Sequence, residues 1–191
     1  MSADLQERLN HILPRITSDD FLSGAGIGNE IGFYIFDYPP DEELVVRQHV
    51  RFLMEHIPKA KPRLKVAHVN LFDLVLDYLR GRNLLDRSLQ MQREKGNETL
   101  TKALRAALHE DKLAQVFEQA ARPKESDLVL VSGAGSVYPL VRSHTLLNNL
   151  HPIMGETPLV MFYPGRYDGQ SLRLFGKLKN NNYYRAFKLV P

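Results

Sequence analysis

The sequence predicts an α/β fold with three layers, in which helices cover both faces of a mainly parallel sheet in a Rossmann-like or P-loop-like topology. Two observations lead to this prediction. Short apolar segments bounded by turn residues alternate along the chain with segments of helical periodicity. Residues 127–132 are apolar and β-branched without alternation, which is typical of a strand that is covered on both faces.

Each predicted element follows from a local pattern. We predict strands at residues 33–36, 64–69, 127–132, 158–163, 172–175 and 184–190. We predict helices at residues 3–16, 41–57, 71–80 and 84–121, with an interruption around Gly96, and a further helix that begins at Pro139. The leucines at 100, 104 and 108 are expected to face the core, and the glycine-rich residues 23–32 to form a loop. The last two strands, with a polar turn at residues 177–182 between them, predict an antiparallel strand pair at the C-terminus. Residues 1–191 are expected to form a single domain.

The composition is that of an ordinary soluble protein, with 43% apolar residues, 25% charged residues and no cysteine. No apolar run approaches the roughly 20 residues that a membrane-spanning helix needs. The polar N-terminal sequence does not resemble a signal peptide, so we expect a cytoplasmic protein. The net charge of +3 is small, but cations and aromatic residues cluster near the C-terminus, where Asp168 is the one acid after residue 165. The cations there are Arg166, Arg173, Lys177, Lys179, Arg185 and Lys188. This asymmetry indicates a charged partner surface.

The glycine-rich segments do not match nucleotide-binding motifs. A dinucleotide fingerprint follows a strand, whereas the glycines of residues 24–32 precede one. A phosphate-binding loop ends in Gly-Lys-Ser or Gly-Lys-Thr, but the one Gly-Lys pair, Gly176-Lys177, is followed by leucine. Asp37 follows an apolar strand, as the magnesium-binding aspartate of an ATPase does, but a turn or helix-cap role beside Pro39 is favoured. We therefore expect no cofactor and no ATP hydrolysis.

Residue types for metal binding or nucleophilic catalysis are present without the spacing that either chemistry needs. His49 and His56 lie about two helical turns apart, with no nearby acid to complete a ligand set. Ser132, Ser136 and His144 are not part of a Gly-x-Ser-x-Gly nucleophile elbow. We therefore expect no metal site and no catalytic residue, and we expect that the protein is not an enzyme.

Two segments that begin where predicted strands end are candidates for a binding surface. Residues 132–142 and 162–169 are rich in glycine and proline and contain arginine and tyrosine. In open α/β sheets such loops lie along one edge, where ligands usually bind, and glycines there let other segments approach closely. Arginine and tyrosine dominate protein interfaces, because they combine a large contact area with a polar group. We therefore predict a partner-binding surface formed by Arg142, Tyr163, Arg166, Tyr167, Tyr184 and Arg185. For each tyrosine, a position in the core or the sheet is an equally good interpretation.

Four segments carry a resemblance to a known family. They are IFDYPPDE at residues 35–42, SGAGSVYPLVRSHTLLNNL at 132–150, VMFYPGRYDGQSLRLFG at 160–176 and NYYRAFKLV at 182–190. In these motifs, their order and the total length, the chain resembles the BrxB family of BREX phage-defence components. The resemblance implies a small component that associates with the alkaline-phosphatase-like PglZ protein and assembles with the methyltransferase and ATPase components. It provides no catalytic residue, and it implies that DNA is reached through these partners.

Two other functions stay open on the sequence alone. One is a nucleotide-binding regulatory protein that has lost the motifs for hydrolysis, for which a nucleotide would raise the melting temperature. The other is a DNA-binding module that uses the basic, aromatic C-terminal region, for which binding would fall steeply with salt. An adaptor would instead form a stable complex with the phosphatase-like protein.

Overall fold

The computed structural model describes residues 2–24, 32–179 and 186–191, and every statement about structure refers to these. The helices are α1 (Ala3–Thr17), α2 (Asp19–Leu22), α3 (Glu43–Ala60), α4 (Leu71–Gly81), α5 (Leu85–Ala107), α6 (Glu110–Ala121) and α7 (Ser143–Met154). The strands are β1 (Phe33–Tyr38), β2 (Val66–Asn70), β3 (Leu128–Ser132), β4 (Leu159–Tyr167), β5 (Leu172–Leu174), β6 (Leu178–Lys179) and β7 (Phe187–Lys188). The predicted loop at residues 23–32 lies largely outside the described ranges.

The strands form one sheet in the order β2-β3-β4-β1-β7, and every neighbouring pair in this order is parallel. β1 lies beside β4, with Phe33 opposite Leu159 and Tyr38 opposite Pro164. The end of β4 pairs antiparallel with β5, which in turn pairs antiparallel with β6. This mainly parallel sheet confirms the predicted fold class.

Helices cover both faces of the sheet, because alternate side chains of each buried strand point into two different cores. Phe33 and Ile35 of β1 join a core that α4, α6 and α7 cover. Tyr34 and Phe36 of the same strand join a second core under α1, α2 and α3. The apolar faces predicted for α1 and α3 are buried there: Leu5, Leu9, Ile12 and Ile16 of α1, and Val46, Val50, Leu53 and Ile57 of α3. The three predicted layers are therefore present.

α5 is the helix that packs least against the sheet. It is interrupted at Gly96, where φ is +78°, as the sequence predicted, and none of its residues is buried. Of the predicted apolar stripe, Leu100 and Leu104 are only partly buried, and Leu108, which follows the helix, is buried. None of the helices within the described ranges is long and apolar enough to cross a membrane.

Three helix boundaries differ from the prediction, and two of them involve proline. The segment predicted as one helix at residues 84–121 is two helices, α5 and α6, which are separated by Leu108 and His109. α7 begins at Ser143 rather than at Pro139, because the preceding residues form turns that bury Val137 and Val141. Proline suits such a turn as well as it suits a helix start. α3 continues past Pro58, which is the third residue from its end. A proline in the last turn removes one backbone hydrogen bond and leaves the preceding ones intact.

The C-terminal antiparallel pair is present, but its second strand is not the predicted one. β5 pairs with β6 (Leu178–Lys179), whereas β7 pairs parallel with β1 at the edge of the sheet. The β5–β6 turn is tight: Lys177 N donates to Leu174 O at 3.2 Å. Phe175 and Gly176 between them both have positive φ, as in the type I′ turns of tight hairpins. Phenylalanine is rare at positive φ, so Phe175 gave no sign of a turn. The polar residues 177–182 were therefore predicted as the turn instead.

Candidate functional site at the carboxyl edge of the sheet

A cleft of about 730 Å³ opens at the carboxyl edge of the sheet, at the ends of β1 and β4. These strands are neighbours, but the chain leaves β1 towards α3 and leaves β4 into the β5–β6 hairpin. Diverging connections of this kind leave the gaps in which open α/β sheets bind ligands. We call this gap the basic cleft. Its cations are Arg8, Arg166, Arg173 and Lys188, and its acids are Asp4, Asp37 and Asp168.

Asp37 lines the basic cleft and is only 8% exposed. One carboxylate oxygen accepts a hydrogen bond from Arg8 Nη2 at 3.0 Å, and the other accepts one from the backbone N–H of Tyr167 at 2.9 Å. Arg8 Nη1 donates to the main-chain oxygen of Asp37 at 2.9 Å. Asp37 therefore joins α1 to the ends of β1 and β4, and it does not have the turn or cap role that its place near Pro39 favoured. A local pattern cannot predict this role, because both partners are distant in sequence.

Arg8 completes this buried ion pair, with 16% of its side chain exposed. Its guanidinium lies over the ring of Phe36, 4.8 Å from the centroid, and Nη2 also donates to the carbonyl oxygen of Val190 at 3.2 Å. Arg8 Nε is buried without a hydrogen-bond partner among the described residues. Sequence analysis missed Arg8, because an arginine on the polar side of an amphipathic helix gives no signal of such partners.

Asp168 is held in a turn at the rim of the basic cleft. It accepts hydrogen bonds from the hydroxyl of Ser171 and from the N–H groups of Ser171 and Gln170, at 2.7 to 3.0 Å. These bonds, led by that of the Ser171 hydroxyl, lower the pKa of Asp168 to about 2. Asp168 is therefore ionised at neutral pH, and its oxygens are largely engaged by its own turn. Its contact with Arg173 Nη2 is long, at 3.5 Å.

The other cations of the basic cleft have few partners. Arg166 on β4 and Arg173 on β5 are register partners, so their side chains leave the same face of this strand pair. The opposite face carries Tyr167, Leu172 and Leu174, which are buried in the core. Among the described residues, the side chains of Arg166 and Lys188 form no ion pair and no hydrogen bond. Within the described ranges, Arg166 and Lys188 are thus cations of the cleft that no carboxylate neutralises.

The loop after β3 packs closely against neighbouring strand ends. Gly133 has a φ of +76°, and a Cβ added there would lie 2.3 Å from Asn70 Oδ1. A Cβ added at Gly135 would lie 2.8 Å from Pro164 Cγ and 3.1 Å from the ring of Phe175. Both positions need glycine, as expected for a loop at this edge that other segments approach closely.

Hydrogen bonds tie the same loop to the start of α3. Tyr38 Oη donates to Glu43 Oε2 at 2.5 Å, and Arg47 Nε donates to Glu43 Oε1 at 2.8 Å. Arg47 Nη2 then donates to Ser136 Oγ at 3.1 Å. Burial, with the hydrogen bond to Glu43, raises the pKa of Tyr38 far above its usual value, so its hydroxyl stays protonated as a donor. The loop is therefore held in place on two sides.

Two aromatic rings are exposed where the loop after β3 packs against the β5–β6 turn. Tyr138, in the loop after β3, is 41% exposed, and Phe175, in the β5–β6 turn, is 37% exposed. The rings meet edge to face, with their centroids 6.1 Å apart. We call them the aromatic pair. Exposed Arg142 follows in the loop of Tyr138, and exposed Arg166 lies on the strand next to β5. Adjacent exposed rings of this kind are typical of interaction surfaces.

The structure separates the six predicted partner-binding residues. Arg142 and Arg166 are exposed at the carboxyl edge. Tyr163 and Tyr167 are 0% and 1% exposed, so both belong to the core and neither ring is available to a partner at the surface. The reason is their place on β4, a central strand whose side chains are covered. Tyr184 and Arg185 lie outside the described residues. Sequence analysis missed the aromatic pair, because neither ring stands out from the other aromatic residues near it.

The residues considered for other chemistry are not gathered into one site. Ser132 is hydrogen bonded to His68, with Oγ 2.8 Å from Nε2, and burial lowers the pKa of this histidine. Ser136 instead accepts the hydrogen bond from α3, and the side chain of His144 lies outside those described. His49 and His56 both stack on Phe52. In the part of the chain that the structure describes, no three His, Asp or Glu side chains form a group that would hold a metal ion.

Known proteins resemble the chain over almost its whole length. The family model for BREX protein BrxB matches residues 67–189. The BREX protein BrxB of Bacillus cereus (strain H3081.97) is 42% identical over 190 residues, which is 97% of each chain. That of Escherichia coli O9:H4 (strain HS) is 43% identical over 187 residues, 98% of this chain and 92% of the relative. No solved structure matches the chain. The resemblance found in the four motifs is therefore confirmed, and the chain belongs to the BrxB family of BREX proteins.

Proposed function

We propose that the chain is a non-catalytic adaptor in a bacterial BREX phage-defence system. It docks on the alkaline-phosphatase-like PglZ component and links it to the methyltransferase and ATPase components that act on DNA. Its place in the BrxB family supports a role within BREX. The docking partner is the one that the family resemblance implies.

The observation that carries the docking proposal is the aromatic pair. Two large rings exposed side by side leave apolar surface in water that a partner protein would cover. Aromatic rings beside arginines match the composition of interface centres, and Arg142 and Arg166 supply those arginines. The surface is also ordered before binding: Phe175 N donates to Pro164 O at 2.9 Å, and Gly135 packs under the ring of Phe175. Such order reduces the entropy lost on docking.

A non-catalytic role is supported by the sequence of the loops at this edge. The loop after β1 contains no Gly-Lys-Ser or Gly-Lys-Thr, and neither does the loop after β3. Those are the positions at which an α/β nucleotide hydrolase would hold its phosphates. The loop after β3 is instead used for packing, through Gly133 and Gly135, and for the link from α3 to Ser136.

Binding to the purified phosphatase-like partner, measured by calorimetry at fixed salt, tests the proposal. The variants are Arg142→Ala, Arg166→Ala and Phe175→Asn, the last chosen because asparagine tolerates positive φ. We expect Phe175→Asn and at least one arginine variant to weaken binding by about 2 kcal/mol, the usual scale for a central interface residue. Their melting temperatures should stay close to that of the parent.

Leu89→Asn provides the matched control, because Leu89 is 45% exposed on α5 and does not line the basic cleft. It should bind as the parent does. If all three edge variants bind as tightly as this control, the docking surface lies elsewhere. The acidic residues at the start of α3 would then be the next surface to test.

A further inference from the structure

We propose that the basic cleft binds an oxyanion, either free phosphate or the phosphate group of a small organic molecule, between Arg166, Arg173 and Lys188. The proposal concerns the isolated chain and does not rest on docking to a partner protein. The ligand of the cleft is thus an oxyanion, whereas the ligand proposed for the aromatic pair is a partner protein.

Like charges are paired across β4 and β5 in the basic cleft. Arg166 and Arg173 are direct register partners, and like charges in that relation are destabilising. The two strands also approach very closely at this point, because a Cβ added at Gly165 would lie 2.2 Å from the carbonyl oxygen of Arg173. The fold therefore places two arginine side chains on the same face of this strand pair, where both line the cleft. An anion between them would convert repulsion into attraction.

Most acids of the cleft already accept hydrogen bonds from groups other than Arg166 and Lys188. Asp37 uses both carboxylate oxygens, on Arg8 and on the N–H of Tyr167. Asp168 accepts three hydrogen bonds within its own turn and reaches Arg173 only at 3.5 Å. Asp4, in the first turn of α1, is the remaining acid of the lining. The cations of the lining outnumber this one acid. Arg166 and Lys188 have no ionic partner among the described residues, and Arg173 is only weakly paired.

The cleft fits a phosphate group in chemistry and in size. Guanidinium groups match the oxygens of phosphate with two parallel hydrogen bonds, and a lysine adds a mobile charge. Arg8 and Asp37, which are hydrogen bonded to each other, line one part of the cleft. Gly176 also lines the cleft and has no side chain that would fill it. A volume of about 730 Å³ is within the range of small-molecule sites. The space therefore accommodates a phosphate together with an organic group attached to it.

Titration calorimetry on the purified full chain tests the site, with sodium phosphate, AMP and adenosine as probes at constant ionic strength. The variants Arg166→Gln and Lys188→Gln each remove one charge from an exposed side chain. Arg51→Gln removes one exposed charge from α3, outside the cleft, and is the matched control. We expect saturable binding of phosphate or AMP with a Kd of about 1 mM or tighter, and no binding of adenosine. Each cleft variant should raise the Kd about tenfold, the loss of one charge-assisted contact, while Arg51→Gln leaves it unchanged.

The relative affinity of the two phosphate probes identifies the source of the oxyanion. Equal affinities indicate free phosphate, and tighter binding of AMP indicates a phosphorylated organic molecule; both results support the site. The proposal is overturned if neither probe saturates up to about 10 mM, a concentration that would reveal even weak binding. It is also overturned if Arg166→Gln and Lys188→Gln bind the probes as Arg51→Gln does. Weakened docking of Arg166→Gln without any phosphate binding would assign Arg166 to the protein interface alone.

Discussion

Asp37 and Arg8 form the most buried ion pair among the described residues. We expect this pair to stabilise the fold, because it joins α1 to the ends of β1 and β4. Asp37→Ala would leave a guanidinium that is 16% exposed without its carboxylate, and the N–H of Tyr167 without its acceptor. Breaking such a pair costs about 3 kcal/mol. We expect a loss of that size in the free energy of unfolding, measured by urea denaturation.

Asp77→Ala is the control for this prediction, because Asp77 pairs with Arg80 at the surface, where the side chains are 71% and 58% exposed. Exposed pairs contribute little, so the free energy of unfolding should change by less than about 0.5 kcal/mol. Equal losses for Asp37→Ala and Asp77→Ala would show that the buried pair is not a structural link.

Two core tyrosines give a second prediction, because their hydroxyl groups differ. Tyr167 Oη donates to Ala186 O at 2.8 Å and accepts from Ala186 N at 3.1 Å, whereas the hydroxyl of Tyr163 is buried without a described partner. Tyr167→Phe should lower the free energy of unfolding by about 1 kcal/mol or more. Tyr163→Phe should leave it unchanged or raise it, because it removes an unpaired buried polar group. Thermal denaturation of both variants measures this, and the reverse order of stabilities would refute it.

Residue identity alone predicted two of the exposed side chains at the carboxyl edge. The arginines at 142 and 166 were found because they follow strands and stand beside turn residues. For the tyrosines at 163 and 167 the sequence left a core and a surface position equally open, since a tyrosine is as suitable for a core as for an interface. Arg8 gave no signal, because its partners lie 29 and 182 residues away in sequence. Contacts of that kind become visible only when the fold is known.

At the scale of elements, the C-terminal segments are integral to both cores. Leu172 and Leu174 of β5 are buried in one core, and Leu189, after β7, is buried in the other. We expect truncation after Gly169 to yield an insoluble protein or one without cooperative unfolding, because the edge of β1 and both cores lose their cover. Circular dichroism during heating distinguishes the states. Deletion of exposed Pro191 alone should melt as the parent does, and a truncated chain that melts cooperatively near that temperature would refute the prediction.

The elements that sequence patterns predicted best are those whose pattern reflects burial. The strands β1, β3 and β4 appear as apolar runs because both faces are covered, and α1 and α3 show one apolar face each. Elements defined by backbone geometry were harder to predict. The β5–β6 turn places Phe175 at a φ of 55°, and the start of α7 depends on turns that bury Val137. Neither feature has a period along the sequence.

At the scale of the whole molecule, the alternation of strands and helices predicted a parallel sheet, but not its strand order. The step from β1 to β2 crosses over two strands, β3 and β4, and β7 returns to the far side of β1. Such an order is decided by contacts between distant segments, including the buried surfaces on both sides of β1. The basic cleft and the aromatic pair are products of this order, which brings the ends of β1, β3 and β4 together.

The whole chain is expected to lack ATPase activity. The reason is the missing phosphate-binding loop, since Gly176-Lys177 is followed by leucine and lies in a β-hairpin. Phosphate release by the purified protein, measured with magnesium and ATP, should not exceed that of a buffer blank. Steady hydrolysis that a point mutation in this chain abolishes would contradict the expectation.

Affinity purification from a bacterial host that carries the whole BREX operon is the most direct test of the adaptor role. A tagged copy of this chain should bring down the phosphatase-like PglZ protein, and the two should stay together through gel filtration at physiological salt. The Phe175→Asn variant, equally soluble and equally folded, should recover much less of the partner. If the tagged parent elutes alone while folded PglZ is present in the same lysate, the chain is not an adaptor for that component.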